Sequence, residues 1–407
     1  MLLTVGTTVA GGLPIFLVSA LFVQIAHDTG APISALGALV AVYWIAAVLA
    51  SPLAGPLAQV VGSSKLAMIA ISSTVVSVLG SALWAPHWYW LFAWMVFGGV
   101  SNALGHPASN HLISLKVSAK RLAMAYGLKQ SAVPLAMLLS GLAIPLIALS
   151  LGWRAALGAA TVLLIVFLIV FAALNPVREK VSRRQRQLTV PMGRPLRNRL
   201  LLIACISALG AGATTTAVSF MVVSAVHRGI EPGFAGIMLS TGSLMGVIAR
   251  IAVGALADRG IGGTLRTVAF MQLVGAAGLV AMVATPDWVF LLGFLVSAGF
   301  GWGWAGLMHY VVSQLAGPAT PAATAVQGMG TYVGNAAGPL LFGIVYDIAG
   351  EGPLWIGTGI LLALAGVMAL LTPRGRVAVT AGPRPAAGPA IASGAEPSTE
   401  RGRAIPS

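Results

Sequence analysis

Residues 153–174 read WRAALGAATVLLIVFLIVFAAL, with one charge, Arg154, at the start and none in the apolar run behind it. At 1.5 Å per residue a helix of this length spans the ~30 Å hydrocarbon core of a bilayer. Runs of the same kind fill most of the chain. Of 407 residues 58% are hydrophobic and only 8% charged, whereas soluble domains carry about 25% charged residues. Mean hydropathy is +0.93. No soluble core hides that much apolar surface. In lipid only helices and closed barrels pair all their own backbone groups, and runs of helix length rather than alternating ten-residue strands exclude a barrel. The expectation is an all-α membrane protein.

Polar and Gly/Pro punctuation places twelve spans near 3–25, 34–57, 65–85, 88–113, 123–149, 153–174, 198–225, 234–256, 264–284, 288–312, 322–346 and 353–372. The first lacks a basic leader and is followed by equivalent segments, so it reads as a span rather than a signal peptide. The strongest charge lies between spans six and seven, where Arg178, Lys180, Arg183, Arg184, Arg186, Arg194, Arg197 and Arg199 cluster. Residues 1–174 then form a first six-helix bundle, 175–197 a basic cytoplasmic linker, 198–372 a second bundle, and 373–407 an Ala/Pro/Gly-rich tail expected to be disordered.

Sorting the cations by side sets the orientation. One face receives Lys65, Lys116, Lys120, Arg121, the linker cluster, Arg259, Arg266 and the tail arginines; the other keeps Arg154 and Arg228 and collects Asp28, Glu231, Asp287, Asp347 and Glu351. Both termini are therefore expected in the cytoplasm, in a multi-pass protein of the cell inner membrane. The net charge of +14 reflects this orientation, not a nucleic-acid partner. Cys205 stands alone, and no P-loop, nucleophile elbow, metal-spaced cluster or carboxylate pair is present, so neither an enzyme nor a cofactor or metal is expected.

The halves resemble one another at an offset of about 200 residues, a repeat common in transporters. Gly254-Ala-Leu-Ala-Asp258-Arg259-Gly-Ile-Gly262, after span eight, stands where Gly55-Pro-Leu-Ala-Gln59-Val60-Val-Gly62 stands after span two. The former resembles the G-x-x-x-D-R-x-x-G signature of the major facilitator superfamily; the latter keeps the glycines but has Gln59 for the acid. The resemblance implies two six-helix bundles that rock about a central cavity lined by spans one, four, seven and ten, with five and eight facing each other. It also implies a chain working as a monomer. Gly254, Asp258, Arg259 and Gln59 are the expected gating residues, Asp258 pairing with a cation or a helix N-terminus of the neighbouring bundle.

Two clearly intramembrane charges remain, Lys129 in span five and Arg250 in span eight, each about 12 Å from the cytosolic edge by residue rise. A buried charge costs about 2.5–3.5 kcal/mol on insertion scales and usually marks a pathway or site. With no acid in any span, the pair would repel until an anion bridged them, Arg250 bidentately and Lys129 as a point charge. Arg250-Ile-Ala-Val-Gly254 is similar to the R-x-x-x-G of monocarboxylate and oxalate transporters, where the resemblance implies carboxylate binding; Lys129-Gln130-Ser131 looks like bacterial cyanate-type carriers. The alternatives are that Arg250 caps backbone carbonyls or pairs with Asp258, and that Lys129 snorkels to headgroups. Asn102, His106 and Asn110 share one face of span four. His106 is the candidate proton carrier, with a neutral interhelical hydrogen bond as the alternative. Gln130, Trp302, Trp304, His309 and Tyr310 complete the expected wall.

The expected function is secondary active transport of a small organic anion, such as a monocarboxylate, with protons as the candidate coupling ion and lipid as the surroundings. The alternatives are efflux of an apolar drug or metabolite, with the cations structural, and a non-transporting membrane sensor.

Overall fold

The computed structural model describes residues 2–116, 122–174 and 193–372. Residues 175–192 of the linker, the tail from 373, and the side chains of Gln59, His106 and Asn110 lie outside the described residues.

Among the described residues the chain forms twelve helical spans. The first is bent by 56° where Leu2–Ala20 meets Phe22–Thr29. Spans two, three and four are Ile33–Val61, Ser63–Leu83 and Trp90–Lys116. Span five comprises Leu122–Gln130, Ala132–Ala143, a π turn over Ile144–Ala148 and the short Leu149–Leu151. Spans six to nine are Trp153–Leu174, Arg194–His227, Pro232–Asp258 and Leu265–Ala281. Span ten joins Asp287–Val296 and Trp302–Ala316 through a π turn at Ser297–Gly301; Thr320–Ala349 and Glu351–Leu371 complete the set. Eight of these helices, or nine counting the bent pair as one, are by themselves long and apolar enough to cross a bilayer. The expected spans fall where helices stand, but several helices run on beyond the apolar run, span seven starting at Arg194 and span two reaching Val61.

The packing repeats in part, span seven lying on twelve where span one lies on four. Span one lies on four and five, and three on four and six; in the second half seven lies on eleven and twelve, and nine on ten and twelve. Span two against eleven and span five against eight join the halves. The opening stretch, span six, is peripheral: Val162, Leu163, Val166 and Ile169 are more than half exposed, on a surface that lipid covers. Gly62 and Gly262, at matching places in the two copies of the signature loop, have φ of 86° and 73°, a left-handed turn that a side chain would strain.

Small residues set how closely helices approach. A Cβ on Gly330, Gly334 or Gly338 of span eleven would collide with the backbone of Ala204, Ala208 or Gly212 of span seven. The four-residue spacing keeps all three on one face, so backbones touch where lipid offers no hydrophobic drive for association. A Gly334→Val protein is expected to lose roughly 1–3 kcal/mol to overpacking, read as a lowered thermal midpoint in detergent; an unchanged midpoint would contradict this seam.

Candidate substrate site

Span five is interrupted for a reason visible in its sequence. A helical carbonyl accepts from the N–H four residues on; for Gln130 that position is Pro134, which has none. The regular helix stops at Gln130 and resumes at Ala132. In a membrane an orphaned carbonyl costs several kcal/mol unless another donor reaches it. Arg250 reaches it from the other half: Nη1 donates to the Gln130 carbonyl at 2.9 Å and Nη2 to the Trp302 carbonyl at 2.9 Å. The guanidinium carbon also lies 5.1 Å from the centre of the Trp302 ring, and the side chain is buried. Spans five, eight and ten are thus tied through one cation.

Close approach makes this tie reachable. A Cβ on Gly127 would stand 2.6 Å from the Arg250 carbonyl oxygen and 3.9 Å from Cα of Gly254, and one on Gly306 would meet Cα of Gly127 at 3.2 Å. Gly127 is therefore where the three spans cross.

In this arrangement both terminal nitrogens of Arg250 are engaged by carbonyls, as in the alternative given above. Of its three nitrogens, Nε is the one without a hydrogen-bond partner among the described residues. Lys129 is buried one residue before Gln130, and both cations lie within electrostatic reach of His309. Gln130 Nε2 stands 3.3 Å from His309 Nδ1, crossing from span five to span ten. Trp302 is set edge-on to Phe16 of the first half, with ring centres 6.3 Å apart.

Other candidates lie elsewhere. Trp304 turns into the second half, where it and Gln272 crowd Gly210, because it is two residues, about 200° of helix turn, from Trp302. Tyr310 packs over Gly263 of the loop after span eight. Asn102 is buried where spans one, two and four meet, hydrogen-bonded to Tyr43, whose hydroxyl also donates to the Gly11 carbonyl. Thr214 and Thr216 bond back to Gly210 and Gly212, whereas Thr215 bonds Asn335 of span eleven at 2.6 Å. The aromatic pair Trp44 and Tyr332, ring centres 5.4 Å apart between spans two and eleven, escaped the sequence reading because neither stands in a motif.

At the face carrying residues 62, 193 and 260, Oδ2 of Asp258 accepts from the backbone N–H of Met124 at 2.9 Å, an anion on the first turn of Leu122–Gln130. Arg259 ends the span-eight helix and is exposed. At the opposite face both carboxylate oxygens of Asp347 lie 3.2 Å from the Ser34 N–H, on the first turn of Ile33–Val61.

A family model described as Major Facilitator Superfamily matches residues 4–320 and 229–405. The chain belongs to the major facilitator superfamily. Its fold is that of this superfamily, and it is a transporter rather than an enzyme. An uncharacterized MFS-type transporter of Mycobacterium tuberculosis, found in strains CDC 1551 / Oshkosh and ATCC 25618 / H37Rv, is 26% identical over 373 residues, covering 88% of this chain and 82% of the relative. Among solved structures, a superfamily proton:xylose symporter, XylE, bound to 6-bromo-6-deoxy-D-glucose, superposes with a TM-score of 0.67 at 16% identity, covering 91% of this chain and 93% of the symporter. That likeness speaks to fold alone.

Replacing Arg250 by Met is expected to destabilise the protein by roughly 1–3 kcal/mol, by leaving the Gln130 carbonyl unpaired. Adding Pro134→Ala supplies the missing N–H, so the double variant should melt above Arg250→Met alone. Strict additivity in this double-mutant cycle would refute the shared carbonyl.

Proposed function

We propose that this protein is a secondary active carrier of a small organic anion such as a monocarboxylate, moved by alternating access between its two halves. One observation carries the reading: among the described residues, the buried formal charges are Lys129 and Arg250, with no buried acid. Both belong to the seam of spans five, eight and ten. A carboxylate between them gains charge-assisted hydrogen bonds about twice as strong as neutral ones. The unpaired Nε–H of Arg250 offers it a first donor.

Binding would also act on the seam itself. The Gln130 carbonyl and the anion compete for Arg250, so an anion that wins unties span five from span eight, while the Trp302 bond keeps the guanidinium within its own half. A ligand shifts a conformational equilibrium only through such differential contacts. Asp258 and Asp347, bound to first-half helix starts at opposite faces, fit the role of gate contacts.

A second reading, efflux of an apolar compound, draws support from the aromatic groups Phe16, Trp302, Trp44 and Tyr332 between the halves; in it both cations are structural. Proteoliposome uptake of labelled acetate, pyruvate and oxalate, beside extrusion of an apolar dye, separates the two. Under the anion reading, wild-type uptake falls at least tenfold in Lys129→Gln; dye extrusion indifferent to that change, without anion uptake, favours the second. Binding without accumulation would indicate a sensor.

The charge asymmetry of the loops supports a multi-pass inner-membrane protein with both termini in the cytoplasm. A C-terminal green fluorescent protein is expected to fluoresce and a C-terminal alkaline phosphatase to stay inactive; the reverse pattern would invert the topology.

A further inference from the structure

We propose that His309 carries the coupling proton, binding it together with the anion at the Lys129 and Arg250 pair; this rests on the anion-carrier reading above. His309 lies seven residues beyond Trp302, two helical turns, and so on the same face of span ten. Trp302 holds Arg250 through its carbonyl, and His309 meets the side chain of Gln130, whose carbonyl Arg250 also holds. Gln130, in the first half, thereby touches both the cation and the titratable group of the second.

The ring nitrogen facing Gln130 has two neighbours with opposite demands. His309 Nδ1 lies 2.9 Å from the Ala305 carbonyl, which only accepts, and 3.3 Å from Gln130 Nε2, which only donates. With a proton on Nδ1 the ring donates to Ala305, and the Gln130 amide must turn to present Oε1, an oxygen that is buried and has no partner in this arrangement. Without that proton Nδ1 accepts from Gln130 Nε2. The state of one nitrogen is thus read by a side chain on the opposite half.

Charge counting supplies the coupling. Among the described residues, Lys129 from span five and Arg250 from span eight are the charged groups that act on His309. Spans seven and nine bear their arginines, Arg194, Arg197, Arg199 and Arg266, at their ends; span eleven has Tyr332 within it and Asp347 near its far end. The pair has a formal charge of +2. A proton alone makes it +3 and a monoanion alone +1, whereas both together restore +2. One proton on His309 with one monoanion is an electroneutral load, and each favours the other by reciprocal linkage.

The test uses the full-length protein in proteoliposomes with labelled pyruvate, measuring accumulation driven by an inward pH gradient and counterflow at equal pH. Wild type is expected to accumulate pyruvate, alkalinise the medium and ignore an imposed membrane potential. His309→Gln, monodisperse in detergent, is expected to retain counterflow at a reduced, pH-independent rate while accumulation falls at least tenfold. Gradient-driven accumulation by His309→Gln equal to wild type would overturn the inference, and loss in His106→Gln alone would move the role to span four. Wild type without pyruvate counterflow would instead overturn the anion-carrier reading and this inference with it.

Discussion

A helix surrounded by lipid has no water with which to finish its hydrogen bonds, and every irregularity in it must find a partner within the protein. Pro134 creates one such debt at the Gln130 carbonyl. The donor that meets it, Arg250, is itself a group that a bilayer excludes unless its N–H bonds are satisfied. Each thus makes the other tolerable: the proline leaves an acceptor for a cation, and the cation repairs a helix that the proline has broken. Because they stand on different halves, this mutual repair is also a joint between the two bundles.

The remaining architecture brings that joint within reach. Gly127 removes the side chain that would keep spans five, eight and ten apart, and the small residues of spans seven and eleven do the same inside the second half. Trp302 gives Arg250 a carbonyl and a ring face while touching Phe16 across the interface. Most of the structure is a close-packed helical frame; the buried formal charges among the described residues, Lys129 and Arg250, stand at the seam.

The twelve spans were legible because the bilayer imposes both length and composition, and the repeat because Gly62 and Gly262 both need a left-handed backbone. Lys129 and Arg250 stood out as charges among apolar residues. The partners of Arg250 did not, although Pro134 stood four residues beyond Gln130: the freed carbonyl follows from sequence, but the donor that fills it comes from 120 positions away in the chain. The contact of Trp304 with Gly210 depends on its angle on the helix, which residue type alone does not give. His309 was visible as one more polar residue, and only the approach of span five to span ten gives it a neighbour.

The carboxylates at the two faces have a consequence for ancestry. Asp258 and Asp347 both belong to the second half, and both hold helix starts that belong to the first, at Met124 and Ser34. A duplicated bundle begins with identical copies, each able to clasp and be clasped. Here these two clasps have come to rest on one copy and their sockets on the other, and Gln59 stands where the first copy would carry its own acid. The halves have ceased to be interchangeable: two copies of the first would bring sockets to both faces with neither of these acids to fill them.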